Sequence, residues 1–445
     1  MPMVFDRHDL YGIFRQQVIL FPERPYCIKE HTITYQEAHD QITRLATALL
    51  CRNTDHHPVI LHIRCHQQWL LCWWACIRAG LDVILPPDIL PSDQPHAWLL
   101  DEVALGALQE VSLTGLPAAV RPSDIYFYSS GTTGMPKLIG NTSHQLVSAL
   151  QALYAQPPAY LRTCRQVYLT PPLFHSYGLS AMLEYTMMGA TIILPPERGT
   201  VGPVKGLFRK DIAAIVDSIE GVPYFYTQLN TILPRLQLPA LQHVGFGGDA
   251  VPDALLHTWQ AKFPAVSYSV RYGVTEIPSV VCLQEFTDIM EADTARIQHW
   301  LSIYNIYLQH EPGDEATGTG ELYVDYLTAS GEKITVPTGD IAMATGDHFR
   351  LEGRRKSFFK YKGFKINPLR IESVIKAFNG VKEAKVFLTA QARLKAEFEA
   401  DSDVAVPALK AFLAATLPDY MLPDELTRVD NIPRTASGKI IRHIY

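Results

Sequence analysis

The stretch Tyr126-Phe-Tyr-Ser-Ser-Gly-Thr-Thr-Gly-Met-Pro-Lys137 gathers the residue types that can hold a polyanion. Ser129, Ser130, Thr132 and Thr133 supply hydroxyls, Gly131 and Gly134 leave backbone N–H groups unobstructed, and Lys137 adds a point charge. Such a cradle suits phosphate oxygens. The spacing is not that of a Walker A loop, because no Gly-Lys-Ser/Thr closes it. The plain alternative is an ordinary Ser/Thr/Gly turn between a strand and a helix.

The flanking sequence says what must position this stretch. Tyr126–Tyr128 reads as the end of a buried strand, and a helix is expected to begin near Thr142–His144. Upstream, Thr34-x-x-Glu37 is a capping box followed by apolar residues at helical spacing. Val59–Ile63, Val83–Leu85, Val167–Thr170 and Thr191–Leu194 read as strands, and Trp69–Ala79 and Leu179–Met188 as buried helices. Ala213–Ile219 reads as a further helix, and Leu241–Phe246 and Val266–Val270 as strands. This alternation predicts a parallel sheet covered by helices. Ligand groups in such sheets collect where strands end. Two glycine-bearing exits qualify: Gly247-Gly248-Asp249, and Tyr272-Gly273 with Thr275 and Glu276 close behind. From about residue 300 the texture changes to β-hairpins around Gly313 and Gly318. Beyond Leu351–Lys356 it changes again, to a short α+β pattern with helices over Ile371–Phe378 and Val406–Leu417.

Composition narrows the class. At 445 residues, 47% hydrophobic and 19% charged, the chain has material for two or three packed domains. A net charge of −6 gives no reason to expect nucleic acid or an anionic membrane as partner. The seven cysteines form no Cys-x-x-Cys pair, and the odd count fits reduced thiols; Cys72 and Cys76, with Trp73 and Trp74 between them, read as core. The apolar run Trp69–Leu81 is interrupted by Arg78 and too short for a membrane span. The polar start at Asp6–Asp9 lacks a leader's apolar region, so a cytoplasmic protein is expected.

Several separated motifs then resemble one family. They are, in order, Tyr128 to Lys137, Pro172-Leu-Phe-His-Ser-Tyr-Gly178, Gly247-Gly-Asp249 and Tyr272-Gly-Val-Thr-Glu276. Gly318-Thr-Gly-Glu-Leu322, Thr338-Gly-Asp340, Gly353-Arg-Arg-Lys356, Tyr361-Lys-Gly-Phe364 and Pro433-Arg-Thr-Ala-Ser-Gly-Lys439 follow. Together they resemble the adenylate-forming superfamily of acyl- and aryl-CoA ligases, nonribosomal peptide synthetase adenylation domains and luciferase. The resemblance implies an α/β N-terminal domain over residues 1–353, with stacked sheets, flanking helices and a small β-subdomain. A mobile α+β cap over 354–445 would carry Lys439.

It also implies a chemistry: a carboxylate attacks the α-phosphorus of ATP, and the acyl-adenylate is then captured by the thiol of CoA or a carrier-protein phosphopantetheine. By that resemblance Ser129 to Lys137 hold the β- and γ-phosphates, Thr275 touches the α-phosphate, and Glu276 holds Mg²⁺. Tyr272 stacks on adenine with Gly247 to Asp249 along its edge, Gly273 follows in the same turn, Asp340 binds the ribose, and Arg354 supports it. Lys439 bridges the carboxylate and the α-phosphate. His175, Phe174, Tyr177 and Tyr224 border the acid, and a flat aryl or short unsaturated acid is expected. No acidic residue near His175 is placed to receive an amino group, which disfavours an α-amino acid. Lys356 is the implied hinge, and Lys362 and Gly363 line the path of the thiol. A nucleotide-binding pseudo-ligase and a luciferase-like monooxygenase using its own adenylate stay open as alternatives.

Overall fold

The structure, a computed structural model, describes residues 6, 8–29, 31–86, 96–108, 121–129, 137–196, 201–286, 293–310, 318–357, 359–361, 364–389, 393–402, 404–434 and 440–441. The expected capping box opens the helix Tyr35–Arg52. Glu37 N donates to the Thr34 hydroxyl at 3.2 Å, and Thr34 N donates to the Glu37 carboxylate at 2.8 Å. Two backbone donors at the helix start are thereby satisfied.

Two stacked sheets form the large N-terminal part. The first runs in the order Cys282–Phe286, Ser267–Tyr272, His243–Gly247, Ser218–Gly221, Gln166–Leu169, Thr191–Ile193, Pro25–Ile28 and Thr32–Thr34. Its inner strands are parallel and each edge is antiparallel. The second runs Trp98–Leu100, Val59–Leu61, Val83–Leu85, Asp124–Ser129 and Lys137–Thr142. The helices His66–Ala79 and Ser176–Met187 are apolar nearly all round, the mark of burial on every side. Trp73, Trp74, Leu183 and Tyr185 belong to one continuous apolar cluster that reaches strands of both sheets.

An antiparallel sheet follows, in the order Arg296–Ile297, His348–Arg354, Lys333–Thr345, Thr319–Leu327 and Asn305–Gln309. It is the small β-subdomain; Gly313 lies outside the described residues. The C-terminal part has its own core of Tyr361, Ile371, Ile375, Val386, Phe398, Leu409 and Leu426. There a three-stranded sheet of Val381–Leu388, Leu394–Ala400 and Glu425–Arg428 carries the helices Pro368–Lys376 and Val406–Thr416. A core of its own is what defines a separate domain.

Two expectations are corrected. Ala213–Ile219 is not one helix: a single turn ends at Ala213, and Ser218–Gly221 is a fully buried strand. Ile215, Val216 and Ile219 fall at helical spacing, and it is the parallel neighbours on both sides that decide for the strand. Lys137–Thr142, expected only as the turn's exit toward a helix, is a strand. It pairs antiparallel with Asp124–Ser129, Ser129 opposite Lys137, so residues 130–136 join two strands of a hairpin. The helix then starts at Ser143, capped by Thr142.

Candidate functional site

The expected site residues come from separate elements, and the fold gathers most of those it describes. Asn141, on the strand that leaves Lys137, donates through Nδ2 to the Thr275 carbonyl at 3.2 Å. The Thr275 hydroxyl lies 3.5 Å from that of Ser176, the residue after His175. The hairpin strand, the turn after Tyr272 and the start of the Ser176–Met187 helix are thus drawn together. Gly178 makes that convergence possible: a Cβ there would sit 2.2 Å from the Pro172 carbonyl oxygen. The helix can approach the Pro171–Pro172 turn only without a side chain at this point. His175 is the N-cap residue, and its ring lies 4.7 Å from that of Phe174, which is itself buried in the main core.

A second group sits at the exits of the strands His243–Gly247 and Ser267–Tyr272. Tyr272 donates its hydroxyl to Asp340 Oδ2 at 2.7 Å, and Arg354 Nε meets Asp340 Oδ1 at 2.9 Å. Arg354 Nη1 also donates to the Thr338 carbonyl at 2.8 Å. Burial, then the Asp340 charge, pushes the Tyr272 phenol well above its usual range, so it remains a donor. Asp340 is buried while the Arg354 side chain is about half exposed, so the carboxylate is oriented from the protein side. Glu276 is exposed. Asp249 is exposed too, and its carboxylate accepts from Ala250 N at 2.9 Å. Gly273 follows Tyr272 with a Cβ position 3.4 Å from the Ser279 carbonyl oxygen.

Beneath these exits lies a buried charged network that the sequence did not announce. Arg271 Nη2 meets Glu184 Oε2 at 2.5 Å and its Nε stands 3.9 Å from Glu220 Oε2; both carboxylates are fully buried. Glu184 also accepts from Ser180 at 2.6 Å. Glu220 accepts from Tyr177 at 2.8 Å and Tyr185 at 3.2 Å. The Arg271 stem crosses Gly247, where a Cβ would come within 2.4 Å of Cγ, and its guanidinium lies 4.9 Å from the Tyr177 ring centre. Burial raises the Glu220 pKa against the pull of Arg271. Burial opposes the Arg271 charge as well, yet Glu184 and Glu220 outweigh it and hold the guanidinium protonated. The signal available was a glutamate inside each of two apolar runs and an arginine inside a third. Buried charges occur where they can pair. Behind Tyr185, His243 bonds Ser218 and Ser269, each at 2.8 Å, and stacks on Tyr160 at 3.7 Å. Burial depresses its pKa well below the usual range, so it is neutral.

Tyr224 begins the helix Pro223–Leu229, whose N-cap Val222 faces Gly248. The Arg434 guanidinium lies 4.0 Å from the Tyr224 ring centre, so the last motif reaches this rim of the site. Ser130 to Gly134, Lys362, Gly363 and Lys439 lie outside the described residues, as do the side chains of Ser129 and Lys356. The Lys356 backbone belongs to the turn Arg355–Ser357. Among the described residues no cluster of three His, Cys, Asp or Glu could hold a metal, and no helix is long and apolar enough to cross a membrane.

This arrangement is an α/β fold with the candidate site at its strand exits and a small C-terminal domain reaching its rim. The chain belongs to the AMP-binding enzyme family, which residues 90–325 match. It is 27% identical to tyrocidine synthase 3 of Brevibacillus parabrevis over 97% of its length, and spans 8% of that synthase. It is 27% identical to the benzoate–CoA ligase of Thauera aromatica over 73% of its length, and the match spans 66% of that ligase. Among solved structures, a benzoate CoA ligase from Burkholderia xenovorans LB400 superposes with a TM-score of 0.80 at 19% identity, covering 98% of this chain and 99% of that one. The expected fold class is borne out.

Proposed function

We propose that this chain joins a carboxylic acid to AMP at the expense of ATP, releasing pyrophosphate, and then passes the acyl group to a thiol of CoA or of a carrier-protein phosphopantetheine. The observation that carries the reading is the Tyr272–Asp340–Arg354 group standing at the strand exits beside Thr275, with the strand from Lys137 fastened to Thr275 through Asn141. In this reading Asp340 binds the ribose hydroxyls, Tyr272 and the Gly247–Asp249 turn bound the adenine, and Thr275 faces the α-phosphate. Ser129, Ser130, Gly131, Thr132, Thr133, Gly134 and Lys137 hold the outer phosphates. Attack by one anion on another needs positioning and charge neutralisation, and Lys439 from the cap supplies the decisive positive charge.

A Mg²⁺ ion accompanies the nucleotide. The exposed carboxylate of Glu276 fits it, because Mg²⁺ takes one or two protein carboxylates and fills its shell with phosphate oxygens and water. When bound it neutralises phosphate charge. Tyr177, Phe174, His175 and Tyr224 border the acid, and their rings suit a flat aryl or short unsaturated acid. Residues 1–353 form the core domain and 354–445 the cap, turning at Lys356 to bring Lys362 and Gly363 to the thiol.

The test is acid-dependent exchange of labelled pyrophosphate into ATP across a panel of aryl, enoyl and short acyl acids, followed by thioester mass with CoA or a loaded carrier protein. Exchange with no acid in the panel overturns the reading. Oxygen-dependent consumption of the adenylate would replace the thiol step by a monooxygenase one.

A further inference from the structure

Arg434 stands five residues before Lys439 and takes no part in the chemistry described so far. It belongs to the body of the small domain. Ile432, fully buried, donates its backbone N–H to Glu399 at 2.6 Å, and Arg434 Nη2 donates to Glu383 Oε2 at 2.6 Å. Glu383 is held in turn by Lys376 at 3.2 Å. Arg434 and Ile440 form a β-bridge, and Ile441 N donates to the Pro433 carbonyl at 2.9 Å, so both ends of residues 435–439 are tied together. The same guanidinium lies over the ring of Tyr224, which belongs to the large domain. Arg434 is 11% exposed and Glu383 15%, so this is a desolvated contact. An arginine fixed by a carboxylate on one side and an aromatic face on the other has little rotational freedom left.

We propose that Arg434 is a positioning residue for the adenylate-forming step: braced by Glu383 and seated on Tyr224, it sets how the small domain, to which Lys439 belongs, meets the acid-binding rim. This rests on the activity proposed above. In this reading the contact is made when Lys439 serves the first step. It must part if the cap turns for the second.

The experiment measures the two half-reactions separately in the full chain: pyrophosphate exchange for the first, and thioester formation from supplied acyl-adenylate for the second. Arg434→Ala and Tyr224→Leu are each expected to lower the maximal exchange rate about tenfold, the size of a desolvated cation–π contact. In Arg434→Ala the KM for ATP and the thioester rate stay within about twofold. The double variant falls no further than Tyr224→Leu alone. Wild-type exchange in Arg434→Ala, additive losses in the double variant, or an equal loss in both half-reactions overturns the proposal.

Should the wild-type chain exchange with no acid, the activity reading fails by itself. The geometry is then read from Tyr224→Cys/Arg434→Cys treated with a short bis-maleimide. A cross-linked peptide pair identified by mass supports the contact, and its absence overturns it.

Discussion

Replacing Arg271 by leucine should be among the most damaging single changes in the large domain. The guanidinium sits 2.5 Å from Glu184 and 3.9 Å from Glu220, and both carboxylates are completely buried. Removing one partner of a buried ion pair costs about 3–5 kcal/mol, because a charge is left without compensation. Here Ser180, Tyr177 and Tyr185 still donate to the orphaned carboxylates. That places the loss near the lower end, about 3 kcal/mol. For a unit of some 350 residues, with about 2.1 cal/mol/K of unfolding entropy per residue, the drop in Tm is about 4 °C. The assay is thermal and urea unfolding at several pH values. In the variant Glu220, already pushed up by burial, loses the opposing pull of Arg271 and should take up a proton more readily than in the unfolded chain. A folded-state pKa raised in this way favours the native state at low pH and loses that advantage as pH rises. The deficit should therefore be smaller at pH 5 than at pH 8, and Glu184→Gln in the same chain should recover much of it. A deficit below about 1 kcal/mol that does not vary with pH would refute the reasoning.

Asp340→Asn should raise the KM for ATP by about tenfold or more, the scale of a lost hydrogen bond to a charged group. Its effect on Tm should be slight, since the Arg354 side of the pair is 52% exposed and screened by water; nucleotide titration and thermal unfolding check both halves. His243 is held neutral by burial, whereas in the unfolded chain it takes a proton below pH 6.5. Its depressed folded-state pKa makes stability fall as pH drops through 6.5, by about 1.4 kcal/mol per unit, a slope that urea unfolding should show and that His243→Gln should lack. Gly178→Ala should lower both Tm and exchange rate, because its methyl group would meet the Pro172 carbonyl at 2.2 Å; unchanged values would mean that the turn moves aside freely.

Much of this architecture was legible because local chemistry and the fold agree. Thr34 and Glu37 announce a helix start, and the apolar run from Trp69 announces a helix with no solvent face, and both form. Ser218–Gly221 was misread because Ile215, Val216 and Ile219 fall at helical spacing, and only the neighbouring strands decide otherwise. Lys137–Thr142 carries lysine, glycine and asparagine and has no strand-like composition; its pairing with Asp124–Ser129 is a tertiary decision. Motifs single out the candidate residues Tyr272, Thr275, Asp340 and Arg354, but not their mutual contacts. Nothing in the residue string joins Asn141 to Thr275, or Arg271 to Glu184, across separations of 134 and 87 positions. Arg434 stood inside a quoted motif, and only the ring beneath it gives it a purpose of its own.

The edge strand Lys137–Thr142 acts as a ruler. Lys137 and Asn141 are four residues apart, so their side chains leave the same face of the strand, with about 13 Å of chain between them. One end of that span belongs to the hairpin turn and the other is pinned to Thr275. Inserting a single residue between them would lengthen the gauge by about 3.4 Å and turn Lys137 to the opposite face. Within this segment the length between Lys137 and Asn141 is therefore as much a part of the site as the Asn141 amide that pins it.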